Sequence, residues 1–259
     1  MRRAWPLVPV ALLAGCAPGE SDTVTVTELT TVRDVSPLEG LEEAVARIEK
    51  DSDTEVGIAL YDGLTVTQAG SLSWLPAWST MKVPIAMAAA EHCEAYDDDT
   101  IEQLTTAAIE WSDNDAARAL WDCMGTDDEA SALVAAEVAK AGTRVAVRGA
   151  FGTTRWSFAG QARYAHYLSQ VDEDNAVVAA MHHIAEDQAY GLGHIKGVPF
   201  KGGWSDFEPD GSWHTRQFGW LELDGVRYGV AVGARSEAGS YGDTMDALDA
   251  VAEELKERA

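Results

Sequence analysis

Apolar residues recur at helical spacing in Leu41, Ala44, Val45 and Ile48, which predicts an amphipathic helix. Two strand-length runs follow at 55–61 and 65–70, joined by Asp62-Gly63, a dipeptide suited to a hairpin turn. The pattern then changes. From about residue 80 to 189 the spacing is mainly helical, with segments at 100–110, 115–121, 128–141, 157–168 and 176–186. The first of the helices, after Lys82, reads Val83-Pro84-Ile85-Ala86-Met87-Ala88-Ala89-Ala90. It is apolar almost all round, the mark of a buried central helix. Pro84 falls in its first turn, where a missing N–H costs little. Strand patterns return at 198–204, 216–223 and 228–234, with Asp224-Gly225 as a second hairpin turn, and 244–258 closes as an amphipathic helix. Strands at both ends around a helical middle predict an α+β fold: an antiparallel sheet flanked by helices, plus an all-α subdomain. A cleft between the two parts is the natural place for a site.

At 259 residues with 46% hydrophobic content, the chain can bury a sizeable core. Its formal charge of −24 argues against nucleic acid and against electrostatic docking on anionic lipid. The N-terminus changes that picture. Arg2 and Arg3 precede a short apolar stretch from Leu7 to Leu13, too short to span a bilayer as a mature helix. Leu13-Ala14-Gly15-Cys16 resembles the bacterial lipoprotein signal. That likeness implies removal of residues 1–15, a lipid on Cys16 and attachment at the outer side of the cytoplasmic membrane. Residues 16–37, rich in Ser, Thr and acids with Pro18, Gly19 and Pro37 as breakers, read as a tether, and 38–259 as the folded domain. In an exported domain Cys93 and Cys123 are candidates for a disulfide, with two separate buried thiols as the alternative. No zinc-like Cys/His cluster is evident and no cofactor is expected. His182, His183 and Glu186 have helix-face spacing but no third partner in view.

Three short motifs carry chemistry. The first is Ser79-Thr80-Met81-Lys82. A serine hydroxyl needs a base beside it to act as a nucleophile, and residues three apart share a helix face. Burial would move the lysine toward its neutral, basic form. The second is Ser112-Asp113-Asn114, ahead of a helical segment, and the third is Lys201-Gly202-Gly203-Trp204 on a late strand. Each alone is weak, since a serine or aspartate there can simply cap a helix; their order and setting are specific.

In that order the motifs resemble those of the penicillin-recognising serine hydrolases, class A β-lactamases and D,D-peptidases. The resemblance runs from about Leu38 to the C-terminus and implies the β-lactamase/transpeptidase-like fold. It implies that Ser79 is the acylating nucleophile, Lys82 its base and Ser112 a proton relay to the leaving group. Asn114 would hydrogen-bond the substrate amide, and Lys201 would lend positive charge. The N–H groups of Ser79 and Trp204, the latter following Gly203, would form the oxyanion hole, each donor worth about 3 kcal/mol of barrier. Arg216 would hold a substrate carboxylate with its guanidinium fork.

Two departures qualify this. The pattern Glu-x-x-Leu-Asn, which in class A enzymes supplies the deacylating acid, is missing, and residues 148–156 contain no acid. Gly202 stands where a hydroxyl residue usually meets the substrate carboxylate. The sequence therefore predicts a monomeric serine acyl-transfer hydrolase for a small-molecule or cell-wall peptide substrate, with efficient class A turnover in doubt. The alternative is a degenerate lipoprotein that binds a cell-wall peptide or protein without turnover. Trp74, Trp78, Trp111 and Trp204 flank the motifs, as core residues or as an aromatic rim.

Overall fold

Small residues on one face of two strands and large ones on the other determine how the layers stack. The computed structural model describes residues 38–258. The expected leader, the lipidation candidate Cys16 and the tether lie outside the described residues. The chain begins with α1 (Leu41–Ser52), β1 (Glu55–Tyr61), β2 (Val66–Ala69) and β3 (Trp74–Pro76). A 3-10 turn at Trp78–Met81 leads into α2 (Lys82–His92), followed by α3 (Asp98–Glu110), α4 (Asn114–Asp122) and α5 (Asp127–Ala139). Then come β4 (Arg155–Ser157), α6 (Phe158–Leu168) and α7 (Ala176–Met181). The last part holds β5 (Phe200–Phe207), β6 (Ser212–Leu223), β7 (Val226–Ser236) and α8 (Tyr241–Lys256).

Among the described residues β1, β2, β5, β6 and β7 form one antiparallel sheet in the order β2-β1-β7-β6-β5. In β1 and β7, Ile58, Leu60, Val230 and Val232 pack with Leu41, Val45, Leu248, Val251 and Leu255 of α1 and α8. Their neighbours Gly57, Ala59, Gly229, Ala231 and Gly233 face the opposite way, as strand alternation requires. On that side α6 lies against the sheet so closely that a Cβ at Gly229 would sit 2.1 Å from the Ala162 carbonyl oxygen. The helical part is built around α2, whose residues Lys82 to Ala89 are all buried and which touches α3, α4, α5 and α7. Its apolar surface continues into Trp121, Tyr164 and Phe218, so the sheet and the helical part share one core. A disulfide joins Cys93, at the end of α2, to Cys123, at the end of α4, with Cα atoms 5.3 Å apart. No helix among the described residues is long and apolar enough to cross a membrane.

The α+β architecture and its antiparallel sheet are those the pattern predicts. Differences lie at the edges. Strands β3 and β4 are only three residues each and pair Trp74–Pro76 with Arg155–Ser157, too short to leave a period-two pattern. Helix α7 stops at Met181, so the helical spacing of His182, His183 and Glu186 is not realised; His182 instead meets Trp220 edge-on. β6 starts at Ser212 rather than 216.

Candidate active site

Ser79 sits in the 3-10 turn at the head of α2, half-buried, and its hydroxyl makes no hydrogen bond among the described residues. The turn is entered through Trp78, held at φ +48°. Lys82 starts α2 one turn on. Its Nζ donates to the Ser112 carbonyl and to Ser112 Oγ, at 3.2 Å from the latter. Ser112 itself is at φ +56°. Only four non-glycine residues among those described have positive φ, and two of them, Trp78 and Ser112, are in this site. Such backbone costs of the order of 1–3 kcal/mol per residue and clusters at functional sites. Asp113, next to Ser112, caps α4 by accepting from the Ala116 N–H at 2.8 Å, which fixes the loop carrying Ser112 and Asn114.

The strand β5 closes the site from the sheet side. A Cβ at Gly203 would lie 2.6 Å from the Ser79 nitrogen and 3.0 Å from that of Thr80. Only glycine lets the strand backbone come this close to the turn that carries Ser79. The next peptide N–H along the strand is that of Trp204. At buried Gly202 a Cβ would make ordinary contacts, the nearest with Gln217 at 3.7 Å.

Ser79, Lys82 and Asn114 line one cavity of about 210 Å³. Its other walls are Trp78, Trp204 and Ser205, with Phe151 and Gly152 from the 148–156 segment. No carboxylate lines it. A larger groove of about 410 Å³ at the far end of the β6–β7 hairpin, beside His182 and Trp220, contains none of the motif residues. Burial lowers the Lys82 pKa to about 8, against a smaller opposing pull from Asp113. Lys201 is fully buried, with its Nζ 3.1 Å from the Gly202 carbonyl. Burial holds its pKa well below the usual lysine range, and the charge on Lys82 lowers it further. Among the described residues no group of three or more His, Cys, Asp or Glu is placed to hold a metal.

Arg216 is not where a substrate anchor would be. It is completely buried. Its Nη1 donates to the carbonyls of Leu75 at 2.7 Å, Pro76 at 3.0 Å and Trp156 at 3.2 Å, and Nη2 donates to Gln161 Oε1. Burial lowers its pKa to about 9. Gln161, also buried, donates to Thr80 Oγ1 at 2.9 Å. Arg216 thus ties β6 to β3, β4 and α6 and, through Gln161, braces the residue next to Ser79. The sequence expectation fails because a strand residue's face depends on its partners: opposite Gly203, the side chain turns toward the carbonyls of Leu75, Pro76 and Trp156 in the short β3–β4 ladder.

Of the tryptophans flanking the motifs, Trp78 and Trp204 do line the cavity. Trp111 is 67% exposed and lies over α3 beside Asp99 and Glu102. Trp74 carries the Arg155 guanidinium over its ring at 3.6 Å. Phe151, also a cavity wall, belongs to no motif, and its one sequence signal is membership of the acid-free segment after α5.

No family profile matches the chain, and no curated protein matches it. Solved structures do. A class A β-lactamase from Bacteroides cellulosilyticus DSM 14838 superposes with a TM-score of 0.69 at 15% identity, covering 87% of this chain and 99% of its own. A β-lactamase from Chitinophaga pinensis DSM 2588 gives 0.64 at 15% identity, covering 83% and 97%. An ancestral class A β-lactamase gives 0.63 at 17% identity, covering 84% and 99%. The chain therefore has the fold of the penicillin-recognising serine hydrolases, in the form its class A β-lactamase neighbours share.

Proposed function

We propose that this chain is a serine acyl-transfer hydrolase that works through an ester on Ser79. One observation carries the reading: Ser79 opens onto the cavity one helical turn from Lys82, a buried amine near pKa 8 that contacts Ser112. Neutral Lys82 takes the Ser79 hydroxyl proton as Oγ attacks the carbonyl. Ser112 then passes a proton from Lys82 to the departing group, leaving the acyl ester. Water or another nucleophile would release it. With no carboxylate lining the cavity to activate that water, release is the slow step and the ester accumulates.

Intact mass spectrometry with an activated ester and with a fluorescent penicillin tests this. The expected result is a single adduct from at least one donor, absent in Ser79→Ala. Ligand binding that survives Ser79→Ala, with no adduct from any donor, would point instead to a non-hydrolytic binding protein. The same measurement on protein isolated from bacterial cells reads the leader: lipidation would add mass that Cys16→Ser removes, and an unmodified or uncleaved terminus would refute it.

A further inference from the structure

We infer that the cavity selects neutral acyl donors with an apolar or aromatic flank and works against donors bearing a carboxylate. This rests on the Ser79 acylation reading. Three positions could hold a carboxylate, and none presents a donor to the cavity. The Arg216 guanidinium is buried and already donates to three carbonyls and Gln161. Lys201 is fully buried, bonded to the Gly202 carbonyl, and does not line the cavity. Position 202 is glycine and supplies no side-chain donor. Lys82 does line the cavity, yet it acts as a base only when uncharged.

The walls point the same way. Trp78, Phe151 and Trp204 offer aromatic faces, which favour apolar groups. Exposed acids stand beside the polar wall residues: Asp113 and Asp115 flank Asn114, and Asp206 follows Ser205. Exposed Arg148, three residues before Phe151, does not line the cavity. The chain as a whole carries −24, which disfavours the long-range approach of anions. An anion brought into such a site loses water without gaining a partner.

The test uses two esters with the same acyl group, phenyl phenylacetate and its 3-carboxyphenyl counterpart, which yield the same adduct on Ser79. Second-order acylation rates are followed by intact mass at low and high salt. The neutral ester should react about tenfold faster, the size of one unmade charge-assisted hydrogen bond. The gap should narrow as salt screens the repulsion. Equal or faster acylation by the carboxylate ester overturns the inference while leaving Ser79 acylation intact. No adduct from either ester removes the acylation reading and this inference with it.

Discussion

Lys82 shows how one side chain acquires chemistry from its surroundings. An ordinary lysine titrates at 10.5, and burial brings this one to about 8. In the proposed mechanism only its neutral form accepts the Ser79 proton, so acylation should rise with pH through a single limb near 8 and then level. Rates measured from pH 6 to 9.5 check this; Lys82→Arg, which does not titrate there, should lose both the limb and most of the rate. Folding follows the same sign. Between about 8 and 10.5 the unfolded chain binds more protons than the folded one at this residue, so its contribution to stability increases with pH across that window. Lys82 and Ser79 were readable from sequence because three residues on a helix turn leave little choice of geometry. Arg216 was not. Its place near the third motif was visible, but the face it takes depends on acceptors contributed by Leu75, Pro76 and Trp156, residues far away in the chain.

At the level of elements, the long periodic segments were legible and the short ones were not. The pattern placed β1 and α3 to α6 to within about three residues at each end, because each buries a regular stripe. β3 and β4 exist through their mutual pairing and through Arg216, not through local pattern. Removing that guanidinium breaks four buried hydrogen bonds, to three carbonyls and to Gln161. Arg216→Met should therefore lower unfolding free energy by about 3 kcal/mol or more, read by urea melts, and should slow acylation through the slackened Gln161–Thr80 contact. Arg216→Lys should restore only part, since one ammonium cannot reach four acceptors in a planar fork. A variant with unchanged stability and an altered substrate constant would instead restore the anchoring role. The same scale explains Phe151: a cavity wall supplied by a segment without period announces itself only when the segment is seen in place.

For the molecule as a whole, the disulfide is the strongest covalent constraint among the described residues. It closes a loop with a sequence separation of 30, for which chain-entropy reasoning gives about 3–4 kcal/mol. Cys93→Ser with Cys123→Ser should lose an amount of that order in denaturant melts, and a reductant should have the same effect on the parent and none on the double variant. The antiparallel sheet has a different consequence, one of timing. β1 pairs on one side with β2, its neighbour in sequence, and on the other with β7, which is synthesised more than half the chain later. Until β7 emerges, the first hairpin has a bare edge and α1 lacks α8. A ribosome releasing the chain before β7 begins at Val226 would therefore deliver the whole Ser79–Lys82 segment on a chain that cannot yet close its sheet.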